Sequence, residues 1–199
     1  MPKVKNILIV GTGGQGVILA SDILSDVLGS NEQLQVKKSE THGMSQRGGS
    51  VHSQIRYGPE VHTPFVSPGE ADIILAFEQA EGLRWSHYLA DDGIMILNNE
   101  NIIPPLAYAG LAKYPETGIK RLKNDKRVKE IDAYKIATEA GSIKVVSVVL
   151  LGAISELLDF DRYIWINILT KRVPEKMLQV NIVAFEEGRK AIASQTQQY

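Results

Sequence analysis

A run of glycines after an apolar segment is the first feature of this sequence that could bind a ligand. Residues 7–16, ILIVGTGGQG, pass from four apolar residues into a glycine-rich stretch, and a segment with helical periodicity follows. This order predicts a strand, a tight turn and a helix start, where backbone N–H groups can hold a phosphate or another anion. We expect the turn to consist of Gly11, Thr12, Gly13, Gly14 and Gly16.

The glycines of this turn have separate expected roles. Gly11 is expected to allow the sharp bend, and Gly16 to let the helix pack closely on the strand. Gly13 and Gly14 are expected to leave room for a ligand, because they carry no Cβ. The pattern also allows a purely structural interpretation, in which the glycines only let the strand and the helix pack together.

A second polar, glycine-bearing loop spans residues 40–51, ETHGMSQRGGSV, and shows neither helical nor strand periodicity. A loop of this length inside a compact domain is more often functional than idle. Arg47 could clamp a phosphate or carboxylate with its planar guanidinium, and His42 could move a proton near neutral pH. The candidate ligand or partner residues are His42, Gly43, Ser45, Gln46, Arg47, Gly48 and Gly49. The alternative is a structured loop whose polar groups satisfy one another.

Glu40 is the candidate for the acidic residue with which dinucleotide-binding proteins hold a ribose after their second strand. It follows Gly16 by 24 residues but leads directly into the second loop, which departs from the simple NAD pattern. A stand-alone Rossmann-like enzyme that uses NAD(P) or FAD therefore stays open as an alternative.

Composition excludes several classes of function. The 22 basic and 23 acidic residues nearly balance, so we predict neither a nucleic-acid partner nor attachment to a membrane by charge. The chain has no cysteine, which excludes a thiolate nucleophile and cysteine-ligated iron–sulfur clusters within it. Histidine spacing predicts no metal site, and we identify no catalytic residue. Without a signal-like segment or an apolar run long enough to span a bilayer, we expect a cytoplasmic protein.

The periodicity of the chain predicts an α/β fold, specifically a three-layer α/β/α sandwich in which residues 1–199 form one domain. The sheet is expected to be mixed, mostly parallel and Rossmann-like, with strands near 7–10, 34–39, 71–77, 93–98 and 128–133. Residues 52–57 and 61–66 flank Gly58-Pro59-Glu60 and predict an antiparallel hairpin at one edge. Predicted helices span 15–28, 78–89, 116–127 and, in a helical C-terminal part, 134–140, 143–158, 161–169 and 174–193.

Several of these segments together resemble a known family, the gamma-type domain of 2-oxoacid:ferredoxin oxidoreductases. They are GTGGQGVILASDIL, KKSETHGMSQRGGSV, TPFVSPGEADIILAFEQAEGLR and NIVAFEEGR, and the resemblance covers nearly the whole chain. The combination of the first two is far more specific than either alone. In one departure, Ser147 stands where the family commonly has an asparagine, so a contact made by that amide is expected to be missing.

The resemblance implies a non-catalytic small subunit of a larger enzyme. Such an enzyme oxidatively decarboxylates a 2-oxoacid, here an arylpyruvate, transfers the acyl group to coenzyme A and reduces ferredoxin. Thiamine diphosphate and the [4Fe–4S] clusters would belong to a large alpha subunit, and both glycine-bearing loops would face that subunit. A gamma subunit acting with pyruvate or another 2-oxoacid, and an interaction module that has lost ligand binding, are the remaining alternatives.

Overall fold

The computed structural model describes residues 4–43, 49–103 and 113–196. The strands of this part are β1 (Lys5–Thr12), β2 (Gln35–His42), β3 (Ser50–Gly58), β4 (Ala71–Ala76), β5 (Leu89–Asn98) and β6 (Val128–Ile131). The α-helices are α1 (Val17–Gly29), α2 (Gln79–Trp85), α3 (Glu116–Lys123), α4 (Ala133–Glu139), α5 (Val146–Ser155), α6 (Arg162–Arg172) and α7 (Leu178–Thr196). Short 3-10 turns cover Ser86–Tyr88, Ile143–Val145 and Glu175–Met177.

The strands form one six-stranded sheet in the order β2-β3-β1-β4-β5-β6. β1, β4, β5 and β6 run parallel, whereas β3 is antiparallel to both of its neighbours. Ile7, Leu8, Ile9 and Val10 of β1 are all 0% exposed, because helices cover both faces of this central strand. The predicted mixed, mostly parallel sheet is confirmed.

Two apolar clusters, one on each face of the sheet, give the three layers. On the larger side, Ile7 and Ile9 pack with buried residues of α1, α5, α6 and α7. On the smaller side, Leu8 and Val10 pack with Trp85 of α2 and Leu122 of α3. Successive residues of a strand point to opposite faces, so the alternation along β1 divides its side chains between the two clusters.

The edge hairpin is present, but its two strands are β2 and β3, whose register runs from Gln35 opposite Gly58 to His42 opposite Val51. The prediction that 61–66 forms the second strand of the hairpin was wrong. Side chains of the hairpin bind the backbone of 61–66 instead: the Val61 N–H donates to Gln35 Oε1 (3.0 Å) and the Val66 N–H to Gln54 Oε1 (2.7 Å). Hydrogen bonds from the backbone of 61–66 to amide side chains thus take the place of the strand pairing predicted from the sequence.

Smaller boundary differences have local causes. β5 begins at Leu89, ahead of the strand predicted near 93–98, and its register against β4 shifts between Ala71 and Ile73. Pro174 does not begin the last α-helix but precedes the 3-10 turn ahead of α7. The predicted end of a helix at Gly141 is confirmed by its left-handed φ of 112°.

The C-terminal helices α5 and α7 approach each other at glycines. A Cβ on Gly152 would lie 2.0 Å from the carbonyl oxygen of Phe185, and one on Gly188 would lie 2.0 Å from that of Val149. Nearly all of α5 is buried, which fits its apolar sequence. This packing holds the N-terminal end of α5 beside the glycine turn, where Ser147 faces Gly16.

The sheet has a topological switch point between β1 and β4. The helix after β1 covers the larger side and the helix after β4 covers the smaller side, so the two connections leave in opposite directions. In open α/β sheets, ligands bind beyond the carboxyl ends of the strands at such a point. The glycine turn follows β1 there, and residues 77 and 78 follow β4.

Candidate functional site

The two loops singled out in the sequence meet at the carboxyl edge of the sheet, because β2 runs in the same direction as β1. The Gly13 N–H donates to the carbonyl oxygen of Gly49 at 2.9 Å, and the Gly43 N–H closes the hairpin on that of Ser50 at 2.9 Å. Ser45, Gln46, Arg47 and Gly48 lie outside the described residues. The structure therefore joins the glycine turn to the two ends of the hairpin loop.

An open hollow of about 640 Å³ lies between these elements. Backbone and small side chains form most of its wall, which consists of Thr12, Gly13, Gly14, Gly16, Val17, Ile18, His42, Gly43 and Val51. Val17 begins α1, whose preceding residue is a glycine without a capping side chain and whose first turn has no acidic residue. The first N–H groups of a helix lack partners within the helix, so this wall could receive an anionic group.

Gly11 and Gly16 have the reverse of their predicted roles. Gly11 lies in β1, and a Cβ there would come within 2.8 Å of Gln15, Val17 and Phe77, so it allows close packing of helix and strand. Gly16 makes the bend, with a φ of 87° in the left-handed region. Gly14 also has a positive φ, 101°, and a Cβ there would meet no atom of the described residues within 4 Å. Open space at Gly14 is what a ligand-facing position requires.

Gln15 holds the turn in place, a role that the sequence analysis missed. Its Oε1 accepts the Thr12 N–H at 2.8 Å, and its Nε2 lies 3.4 Å from the carbonyl oxygen of Phe77, to which it donates. Asn98 of β5 donates to the same carbonyl oxygen at 3.0 Å. These amides bridge the switch point between β1 and β4, and the hollow of about 640 Å³ lies on the hairpin side of the turn. The only sequence indication was the position of an amide between the glycines.

Glu40 is committed to contacts within the protein. It pairs with Lys38 at 2.6 Å and accepts the Ser21 hydroxyl at 3.1 Å, while Lys38 also contacts Asp22 of α1. These contacts fasten β2 to α1. The predicted ribose-binding role would require this carboxylate to leave them.

The β3 end of the hairpin loop is anchored to α2 by a buried carboxylate, Glu81. Its Oε2 accepts the Ser50 hydroxyl at 2.5 Å and the Trp85 indole N–H at 3.2 Å, and its Oε1 accepts Arg84 Nε at 2.9 Å. The ring of His52 lies on Trp85 with centroids 4.2 Å apart. Burial lowers the pKa of His52; Glu81 acts in the opposite direction, and His42 lowers it further.

Glu78 is the N-cap residue of α2 and is 1% exposed. Its carboxylate accepts the backbone N–H groups of Ala80 and Glu81, which caps the helix. Burial raises the pKa of Glu78 despite these hydrogen bonds. Glutamate is not one of the usual N-cap residues, so the sequence pattern does not indicate this cap.

Ser147 stands against the glycine turn. A Cβ on Gly16 would lie 3.1 Å from the Ser147 Cβ and 3.2 Å from its hydroxyl oxygen. The position at which the resemblance predicts an asparagine is therefore beside the N-cap of α1. A second hollow of about 220 Å³ extends from Gly14 toward Lys144.

Within the described ranges, no group of three His, Asp or Glu side chains is placed to hold a metal ion. Nor does any helix of residues 4–43, 49–103 and 113–196 have the length and apolarity needed to cross a bilayer.

Comparison with known proteins shows the class to which this fold and site belong. The family model for pyruvate ferredoxin/flavodoxin oxidoreductase matches residues 6–191. The chain belongs to this family, and the resemblance predicted from its sequence is confirmed.

Within the family, the chain is similar to subunits of more than one 2-oxoacid oxidoreductase. It is 38% identical over 196 residues to "Indolepyruvate oxidoreductase subunit IorB" of Thermococcus kodakarensis, covering 95% of this chain and 96% of that one. The subunit of the same name from Archaeoglobus fulgidus is 43% identical over 150 residues, or 74% of each chain. "Pyruvate synthase subunit PorC" of Methanosarcina barkeri is 29% identical over 157 residues, covering 75% of each.

A solved structure supports the fold. The keto/oxoacid ferredoxin oxidoreductase gamma subunit of Geobacter sulfurreducens PCA superposes with a TM-score of 0.71. It is 23% identical and covers 96% of this chain and 99% of its own. At this identity the likeness shows the fold alone.

Proposed function

We propose that this chain is the small subunit of an indolepyruvate:ferredoxin oxidoreductase. The observation that carries the proposal is the greater identity to the IorB subunits, 38% over nearly the full chain, than to the PorC subunit, 29% over three quarters of it. The complex would convert an arylpyruvate and coenzyme A into arylacetyl-CoA and carbon dioxide. Two electrons would pass to ferredoxin.

The redox chemistry in this proposal belongs to a large alpha subunit. That subunit would carry thiamine diphosphate and the [4Fe–4S] clusters, which need cysteine thiolates that this chain lacks entirely. We further propose that residues 1–199 form one gamma-type domain. A location in the cytoplasm stays a prediction.

The carboxyl edge of the sheet is the part of the subunit that we propose faces the large subunit. The glycine turn and the described ends of the loop, His42, Gly43 and Gly49, lie at this edge, and His42 and Gly43 line the same hollow as the turn. The uncapped start of α1 would suit a phosphate of a ligand handled by the complex, such as coenzyme A. Arg47 would supply a bidentate donor for a carboxylate or phosphate at the interface.

The test is reconstitution of the purified chain with the large subunit, measuring ferredoxin reduction with indolepyruvate, pyruvate and 2-oxoglutarate. We expect turnover to need both subunits and to be fastest with indolepyruvate. An iron–sulfur absorbance band or turnover from the small subunit alone would contradict the proposal, and preference for pyruvate or 2-oxoglutarate would overturn the assigned substrate.

The role of the loop is tested by Arg47→Ala in the same reconstitution. We expect assembly or turnover to fall by about tenfold, the effect of losing one charge-assisted contact. Arg172→Ala is the matched control, because Arg172 pairs with Asp26 near the other end of α1. If Arg47→Ala and Arg172→Ala gave equal assembly and turnover, the loop would have a structural role only.

A further inference from the structure

Glu81 joins the hairpin loop to a helix that comes 31 residues later than Ser50 in the chain. Its side chain is 6% exposed, and Arg84 and Trp85, two of its three hydrogen-bond donors, belong to the same helix. The third donor, the Ser50 hydroxyl, comes from the hairpin. This hydrogen bond, at 2.5 Å to a carboxylate, extends the local network of α2 to the base of the loop.

The contacts between α2 and β3 follow the spacing of residues that share one face of a helix and one face of a strand. Glu81 and Trp85 are four residues apart and so lie on one face of the helix. Ser50 and His52 are two residues apart and so lie on one face of the strand. Each helix position meets one strand position, Glu81 with Ser50 and Trp85 with His52.

Ser50 stands where the two candidate loops join. In the register of the sheet it lies opposite Thr12, the last residue of β1, and its carbonyl oxygen accepts the Gly43 N–H that closes the hairpin. The residue before it, Gly49, accepts the Gly13 N–H of the glycine turn. A shift of Ser50 would therefore move the end of the hairpin loop relative to the turn.

We propose that Glu81 is a positioning residue, which acts through Ser50 to hold Gly43 and Gly49, the described ends of the hairpin loop, beside the glycine turn at the edge that the large subunit binds. The inference rests on the proposed function, in which this loop faces that subunit. Arg84 also pairs with Glu81, but its side chain is 64% exposed. This ion pair therefore faces solvent and cannot replace the contact between Glu81 and Ser50.

Four variants test the inference: Ser50→Ala, Ser50→Thr, Glu81→Gln and the double variant Ser50→Ala/Glu81→Gln. Two quantities are measured, the dissociation constant from the large subunit and the amide hydrogen exchange of residues 41–52 in the isolated chain. Glu156→Gln is the control, since Glu156 is a partly buried carboxylate that accepts from Arg189 Nε (2.5 Å) at the α5–α7 contact.

We expect Ser50→Ala and Glu81→Gln each to weaken binding by about tenfold and to speed amide exchange at Gly43 and Ser50. The double variant should bind no more weakly than Glu81→Gln, because both changes break the same contact. Ser50→Thr keeps the hydroxyl and should bind like the wild type, whereas Ser50→Ala should not. A merely structural role of Glu81 in α2 would leave binding unchanged in both variants of Ser50. The control should leave both quantities unchanged.

Additive losses in the double variant, or binding by Ser50→Thr as weak as that of Ser50→Ala, would overturn the inference. Unchanged exchange in Glu81→Gln would also overturn the inference. If Arg47→Ala lost binding in the same experiment, the proposed docking face would still be supported. Faster exchange with wild-type binding in all variants, Arg47→Ala included, would instead refute the docking face and the inference that rests on it.

Discussion

The glycine turn and the hairpin loop meet at one edge of the sheet but are held in different ways. Gln15, within the turn, accepts the Thr12 N–H and donates to a carbonyl of the neighbouring strand end. The described ends of the loop depend on residues distant in sequence, because Ser50 is anchored by Glu81 and His52 lies against Trp85. The shape of the turn is thus built into its own motif, whereas the base of the loop takes its position from another element.

This difference teaches how each region should respond to substitution. Substitutions in the turn affect closely packed atoms and should lower the global stability of the protein. Changes at the base of the loop meet a partly exposed contact surface and should alter local order and recognition more than stability. The following three predictions order the expected effects from the largest to the smallest.

The largest effect is expected from Gly11→Val. A Cβ at this position would lie within 2.8 Å of three side chains, so α1 would have to move away from β1. We expect a loss of about 3 kcal/mol or more in the free energy of unfolding, measured in urea. Gly14→Ala is the matched control and should cost about 1 kcal/mol, from its positive φ alone. Equal losses in the two variants would show that packing does not distinguish these glycines.

A smaller effect is expected from Gln15→Ala. The change leaves the Thr12 N–H without its acceptor and takes one donor from the carbonyl oxygen of Phe77. We expect a loss of about 1 to 3 kcal/mol in the free energy of unfolding.

Gln79→Ala removes an exposed amide that donates to the carbonyl oxygen of Asn99, and it serves as the comparison. It should cost about 0.5 kcal/mol or less. If Gln15→Ala proved as mild as this control, the turn would not depend on its own amide, and the contrast with the loop would disappear.

The smallest effect concerns the pH dependence at the base of the loop. Burial lowers the pKa of His52 below 6.5, so the unfolded chain takes up a proton as the pH falls through 6.5 while the folded chain does not. The stability contributed by the neutral ring is therefore full above pH 6.5 and is lost as the pH falls toward the folded pKa. Because the ring is only half buried, solvent screening keeps the effect small.

His52→Phe keeps a ring on Trp85 but cannot titrate, and we expect it to flatten the fall in stability below pH 6.5. Urea unfolding at a series of pH values measures this, with substitution of the exposed His62 by phenylalanine as the control. A wild-type pH profile in His52→Phe would assign the dependence to other groups.

Much of the fold could be predicted from local pattern. The apolar runs at 7–10, 71–77 and 93–98 belong to strands covered on both faces, and such burial leaves a continuous apolar signature. The pairing of strands was harder. A Gly-Pro-Glu turn ahead of 61–66 predicts that this segment pairs with 52–57, yet the side chains of Gln35 and Gln54 bind its backbone instead.

The candidate site shows the same division. The order of strand, glycines and helix was sufficient to place a turn with room for a ligand at Gly14, and the family resemblance followed from the two glycine motifs together. The reason for a glycine depends on its backbone φ and on the atoms that a Cβ would meet, and the folded structure supplies both. They show that Gly11 and Gly16 have the reverse of their predicted roles.

The functions of Gln15, Glu40 and Glu81 depended on neighbours that only the folded chain brings close. A carboxylate or amide has no fixed role in a sequence, because its energy depends on which donors surround it and on whether water reaches it. Periodicity along the chain records which face of an element is buried, and this can be predicted locally. The partner of a buried polar group is set by packing between elements, and for Glu81 that partner lies 31 residues away.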